Sequence, residues 1–577
     1  MSRLDPDSSP RHASPTARRT EPAGTPLGDA FHVYDTTLRD GAQREGISYS
    51  VADKLAVARH LDALGVGFIE GGWPGALPKD TEFFARAAAG ELELRHAALV
   101  AFGATRKAGV RAEQDGQVRA LLDSGAPVVT LVAKSDRRHI ERALRTDVAE
   151  NCAMVTDTVA LLRAEGRRVF LDAEHFFDGY RFDPDTALRV LDAAMTAGAD
   201  VAVLCDTNGG MLPLRLAEVV GEVAERTGFR LGIHCQDDTG CAVANSLAAV
   251  QTGASHVQCT ANGYGERAGN ADLFAVLGNL VTKLEMPVLP DGAFAELTRT
   301  SHALAEIANI APDTHQAYVG ASAFAHKAGL HASAIKVDPE LYNHMDPTVV
   351  GNGQRVLVTE MAGRASVELK GAEFGLDLAG HPAAVSSVVA TVKEREATGW
   401  SFEAADASLE LLMRSAVGGG GTPEAPFTLE SYRVIVERRL DGAVVAEATV
   451  KVIVDGERVI ATKEGNGPIN ALDAALRAAL APSCPWLDGV ELADFKVRIL
   501  SPRQSSGHGT DAVTRVLLES ADRSDELASP WTTVGVHGNV VEASWLAMVD
   551  ALTYASLRHG VPAQRALSPA PPVTAGR

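Results

Sequence analysis

The chain has 577 residues, with 54 Lys and Arg against 74 Asp and Glu, 46% hydrophobic and 22% charged residues, and six Cys. This balance belongs to an ordinary globular protein and excludes a disordered, fibrous or disulfide-stapled chain. The net charge of −20 argues against a nucleic-acid partner, which needs clustered Lys and Arg to displace counterions, so an anionic substrate must be met by a few local arginines or a metal ion.

The length predicts about three domains, or one large α/β barrel with additions. Residues 1–28 carry five Pro and no apolar run, which predicts a disordered tail rather than a signal peptide; 561–577 reads the same way. From residue 31, short β-type runs at 31–35, 67–71, 96–102, 127–133, 168–173, 200–206, 230–235 and 256–260 alternate with helical patterns, among them 52–64, 184–197 and 243–252. Eight βα units predict a (β/α)8 TIM barrel over 29–290. A doubly wound open sheet is the alternative, but the repeat number and the lack of a GxGxxG turn after the first strand count against it.

Residues 291–416 read as a helical connector, broken at Asp338-Pro339, Asp346-Pro347 and Gly351-Asn352-Gly353. Gly418 to Gly421 with Pro423 and Pro426 make a linker over 417–426. Beyond it, at 427–560, the chain repeats itself: Gly465 and Gly535 lie 70 residues apart. Each glycine-rich stretch is expected to be a loop opening a helix (469–480 and 540–552) after β-rich segments, giving two similar α+β units. Five cysteines, Cys152, Cys205, Cys235, Cys241 and Cys259, precede the lone Cys484 without a CxxC pair, which fits a reduced, cytoplasmic compartment. No window reaches 18 uninterrupted apolar residues, so no membrane span is expected.

A TIM barrel builds its active site at the C-terminal strand ends. There the chain places Asp35-Thr36-Thr37-Leu38-Arg39-Asp40-Gly41, Glu174-His175, Asp206-Thr207-Asn208, His234-Cys235-Gln236-Asp237-Asp238 and Gly265-Glu266-Arg267-Ala268-Gly269-Asn270. Carboxylate, imidazole and amides converging on one mouth are ligand types for a divalent cation, and an Arg beside them suits a carboxylate. Metal-assisted chemistry on a small acid follows.

At these residues the chain resembles the metal-dependent Claisen-condensing enzymes that comprise the 2-isopropylmalate, homocitrate and citramalate synthases. Arg44-Glu45-Gly46-Ile47-Ser48, the run from Gly72 to Asp80, His175-Phe176-Phe177-Asp178-Gly179 and the run from Asp346 to Asn352 are most similar to the citramalate-forming branch. The resemblance covers about residues 30–560. It implies that Asp40, His234 and Asn270 ligate the metal, that Arg39 and Thr207 hold the carboxylate of a 2-oxo acid, and that Glu174 is a polar catalytic residue. His331 and Tyr342 would reach the active site of a neighbouring subunit, making a homodimer part of the mechanism. The implied reaction is an acyl transfer in isoleucine biosynthesis: acetyl-CoA condenses with pyruvate and water cleaves the thioester. The enolising base is Glu174 or His331.

Where the family has His-x-His, this chain has His234-x-Gln236. Two residues apart on a strand face one side, so Gln236 would offer its amide oxygen, weakening zinc and favouring Mg²⁺ or Mn²⁺. The same change motivates a second reading, a catalytically impaired amino-acid sensor. A 2-isopropylmalate or homocitrate synthase is the alternative within the family. A related lyase would use a reactive Cys before the metal-binding Asn, but Cys259 is expected to be a small strand-end residue. The C-terminal region resembles the allosteric domain of these synthases, which implies a branched-chain amino-acid effector such as isoleucine. Gly465, Gly467, Gly535 and Gly538 would offer backbone N–H groups to its carboxylate.

Overall fold

The computed structural model describes residues 26–418, 423–500, 512–524 and 529–560. Most of both terminal tails and of the Gly418–Gly421 linker lies outside them. The chain divides into two compact units, one of residues 1–324 and 345–353, the other of 325–344 and 354–577.

The first unit is a closed parallel barrel of eight strands in sequence order, as the alternation predicted. The strands are β1 (His32–Asp35), β2 (Phe68–Gly72), β3 (Ala98–Ala104), β4 (Val128–Lys134), β5 (Arg168–Glu174), β6 (Val201–Asp206), β7 (Leu231–Cys235) and β8 (His256–Cys259), and β1 closes on β8 with His32 opposite His256 and Asp35 opposite Cys259. Outward-facing Val, Leu and Ile from the strands pack against the surrounding helices to form the main core.

Because side chains alternate along a strand, every second residue points into the barrel, and these positions change character with height. The floor is aromatic: His32 packs on Phe68 (4.7 Å between ring centres) and shares a 3.1 Å Nδ1–Nδ1 contact with His256, which packs on Phe170 at 5.1 Å. The next layer is polar, with Tyr34 donating to Glu70 and lying 2.8 Å from Thr130 Oγ1. Asp172 stands one inward step above Phe170, and Glu174 one step above that, in register with Lys134 on β4. Progress up the strands therefore carries the interior from a sealed apolar floor to a charged mouth.

The second unit holds a two-stranded parallel pair, β9 (Ala325–His326) with β10 (Arg355–Val356), and two three-stranded antiparallel sheets. One sheet is β11 (Thr428–Arg438), β12 (Val444–Val454) and β13 (Glu457–Gly465); the other is β14 (Val490–Leu500), β15 (Val513–Asp522) and β16 (Trp531–His537). Strict alternation in Val444–Val454 buries Ala446, Ala448, Val450, Val452 and Val454 against the helix Pro468–Leu480, and β15 and β16 are covered in the same way by the helix Val540–Arg558. That helix is long and apolar enough to cross a membrane by length and composition, but 56% of its apolar window is buried within the protein. Its burial on the sheet identifies it as the core helix of its half.

The duplication stands, but the glycine loops need correction. Gly465 is the last residue of β13, and Gly535 lies inside β16 opposite Val516. A Cβ on Gly535 would sit 1.9 Å from the Ala543 carbonyl oxygen and 2.8 Å from the Ala547 nitrogen. The glycine is there so that strand and helix backbones can approach, not to present a loop to a ligand. Only Gly467 and Gly538 occupy turns before the helices.

Gly535→Ala should therefore cost about 1–3 kcal/mol by overpacking, read as an earlier denaturant transition of the second unit in the full-length protein. Gly538→Ala, with nothing within 4 Å of the added methyl, should stay within about 0.5 kcal/mol of the parent.

Candidate active site at the barrel mouth

A cavity of about 1000 Å³ opens at the C-terminal ends of the strands. Arg39, Asp40, Glu174, Thr207, His234 and Gln236, all singled out in the sequence, line it together.

The turn after β1 places Arg39 and Asp40. Asp35 accepts hydrogen bonds from Thr37 N (2.9 Å) and Thr37 Oγ1 (2.7 Å), and Thr37 Oγ1 in turn accepts from Ala261 N (2.8 Å), so the exit of β1 is fastened to the loop after β8. Burial pushes the Asp35 carboxyl up to about 7. Arg39 then reaches down to Glu70 in the middle of β2 (Nε–Oε1 2.5 Å), lies 3.5 Å from Asp40 Oδ1, and rests its guanidinium 3.9 Å above the Phe102 ring.

Three ligand-type side chains meet beside it, and a fourth, Asn270, is tied to them through the backbone. Asp40 Oδ2 is 3.2 Å from His234 Nε2, and Gln236 Nε2 lies 3.3 Å from Asp40 Oδ2 and 3.4 Å from His234 Nε2. Gln236 pairs across an isolated bridge with Asn270. Burial resists ionisation of Asp40, but the Arg39 charge and His234 outweigh it and hold its carboxyl well below the usual range. His234 is fixed from behind: its Nδ1 donates to Gln258 Oε1 (2.8 Å), whose Nε2 donates to Asp172 Oδ1 (2.8 Å). This leaves Nε2 facing the mouth. Burial, reinforced by Glu70, pushes Asp172 up to about 7.

The loop from Gly265 to Asn270 needs its glycines. At Gly265, with φ near +158°, a Cβ would meet Asn270 Nδ2 at 2.2 Å. That nitrogen donates to the Tyr264 carbonyl (3.0 Å), which orients the amide and leaves its oxygen turned away.

Two buried amide oxygens, Gln236 Oε1 and Asn270 Oδ1, have no hydrogen-bond partner. Buried polar atoms are normally satisfied, so two orphaned amide oxygens, on residues joined by a backbone bridge and with Gln236 in contact with an ionised carboxylate and an oriented imidazole, fit a divalent cation. Among the described residues no group of three or more His, Cys, Asp or Glu could hold a metal; the donor set here is half amide and rich in oxygen, which suits a hard cation.

On the other side, Glu174 is ion-paired with Lys134. Its carbonyl accepts from Ser135 Oγ (2.7 Å), and the next peptide N–H, of His175, donates to Thr207 Oγ1 (2.8 Å). Thr207 thus keeps its hydroxyl proton for another acceptor. Arg267 ties the mouth together, donating to the Thr207 carbonyl (2.8 Å) and to Asp238 (2.7 Å).

His331 and Tyr342 belong to the second unit, where their rings stack 4.2 Å apart. Gly465, Gly467, Gly535 and Gly538 also lie there. Cys259 is fully buried, and burial raises its thiol well above the ordinary value, as a strand-end residue without reactive chemistry should be.

Sequence reasoning missed Glu70, Lys134, Asp172 and Gln258, which hold the others in place. The signal was present: each is a polar residue at an inward step of a strand whose outward residues are apolar, where only a paired group is tolerated.

The HMGL-like family description matches residues 30–304, the homocitrate synthase post-HMGL domain-like description 318–399, and the LeuA allosteric (dimerisation) domain 403–556. An (R)-citramalate synthase of Streptomyces coelicolor is 62% identical over 93% of this chain and 99% of that protein. One from a Synechocystis species is 47% identical over 90% and 95%. Among solved structures, an HMG-CoA lyase of Bacillus subtilis covers 48% of this chain and 94% of its own, at 16% identity and a TM-score of 0.42. Similar over nearly its whole length to the two synthases, the chain belongs to the (R)-citramalate synthase family.

Proposed function

We propose that the protein condenses acetyl-CoA with pyruvate and hydrolyses the thioester, releasing (R)-citramalate and CoA on the route to isoleucine. The observation that carries this reading is the pair of orphaned amide oxygens on Gln236 and Asn270, with the Gln236 side chain in contact with Asp40 and His234, in a chain whose relatives carry that activity in their names.

Asp40, His234, Gln236 and Asn270 would hold a divalent cation, Mg²⁺ or Mn²⁺ in preference to Zn²⁺. When bound, the cation supplies Lewis-acid polarisation of the keto group of the 2-oxo acid. The remaining work falls to the chain. Arg39, held rigid by Glu70 and Phe102, receives the substrate carboxylate, and Thr207 donates its free hydroxyl proton to it. Glu174, ion-paired with Lys134 at the cavity wall, would take a proton from the acetyl methyl group, with His331 the other candidate for that base. His331 and Tyr342 complete the site of a neighbouring subunit in a homodimer, where the Tyr342 hydroxyl would donate to the oxygen that gains charge as the new carbon–carbon bond forms. Isoleucine is the proposed effector of the C-terminal domain. Six free thiols support a reduced, cytoplasmic setting.

CoA release measured with pyruvate, 2-oxobutanoate, 2-oxoisovalerate and 2-oxoglutarate should favour pyruvate, should stop on chelation and should return more fully with Mg²⁺ or Mn²⁺ than with Zn²⁺. Preference for 2-oxoisovalerate or 2-oxoglutarate would assign a sister synthase, and no turnover at all would leave the amino-acid sensor. Gln258→Met removes the acceptor that orients His234, so calorimetric titration of Mn²⁺ should show affinity lowered roughly 10- to 100-fold. Titration with isoleucine should give heat; none with isoleucine, leucine or valine would sink the effector proposal.

A further inference from the structure

The cavity is far larger than a three-carbon acid requires, and its charges are unevenly matched. Seven lysines and arginines line it. Five of them, Arg39, Lys54, Arg106, Lys134 and Arg267, each lie within 4 Å of a carboxylate. The remaining two, Lys79 and Lys107, are exposed and make no ion pair with a described residue. Lys79 Nζ donates to the Tyr49 carbonyl at 3.1 Å, which leaves its charge uncompensated.

The two are neighbours by topology. Lys79 is the second residue of the helix Pro78–Ala88 that follows β2, and Lys107 lies three residues beyond the end of β3. As β2 and β3 are adjacent in the barrel, both lysines stand on one arc of its rim. Leu77, Pro78, Ala104 and Ala108 line the cavity on the same arc, an apolar track suited to a pantetheine arm.

We propose that Lys79 and Lys107 form the subsite for the phosphate groups of the acyl donor, a role that rests on acetyl-CoA being that donor. Ammonium groups on flexible stems bind phosphates as point charges. In a protein of net charge −20, two uncompensated cations at the mouth supply the local attraction that the overall field opposes.

The test compares acetyl-CoA with acetyl-pantetheine, which has the same thioester and no phosphates, using the full-length protein and the Lys79→Gln/Lys107→Gln double variant. The preference for acetyl-CoA, as a ratio of kcat/KM values, should fall at least tenfold in the variant. Calorimetric titration with CoA itself should show an affinity loss of the same size, and less dependence on salt. An unchanged ratio together with unchanged CoA affinity would overturn the subsite, as would equal losses with both thioesters. If the parent protein turns over no 2-oxo acid, the function fails; the CoA titration still decides the subsite.

Discussion

One guanidinium carries the electrostatics of the barrel mouth. Arg39 touches Glu70 and Asp40, and its charge also acts on Asp172. Buried carboxylates are tolerated only when paired, and here several share a small volume. Glu70 holds Arg39 from below and Phe102 from the face, at a position where the residue lines the cavity. The same charge keeps Asp40 ionised against its burial, whereas Asp172, one layer deeper and beside Glu70, is pushed toward its neutral form. Two acids in one cavity thereby acquire opposite tendencies.

The layering that permits this comes from the strands. Even-numbered positions along β4 and β5 read Val128, Thr130, Val132, Lys134 and Arg168, Phe170, Asp172, Glu174, and the period of two sends each into the barrel. Aromatic packing closes the floor, so the polar layers have one open side. The hydrogen-bonded run Asp172–Gln258–His234, which ends 3.2 Å from Asp40, crosses the interior from β5 to the turn after β1, and each member orients the next.

The second unit uses the same alternation for another end. Strands with one buried face pack on a single helix, and where strand and helix backbones come closest, at Gly535, no side chain fits. A glycine-rich stretch read as a loop is thus half strand, because packing across the sheet prevails over the local preference of glycine for turns.

Much of the protein was legible in its sequence. The eight strands, their order and the residues at their ends follow from local alternation and from polar residues just past apolar runs, both properties of short segments. Arg39, Asp40, Thr207, His234 and Gln236 could be named for that reason. What only the tertiary structure decided is which distant groups serve them. Glu70 is 31 residues from Arg39 and Asp172 is 86 from Gln258, and no local pattern sets such a pairing. Likewise the sequence shows two amides, Gln236 and Asn270, but not that their oxygens are left without partners; that depends on where the closed barrel sends Tyr264 and Asp40, a consequence of packing and not of neighbours in the chain.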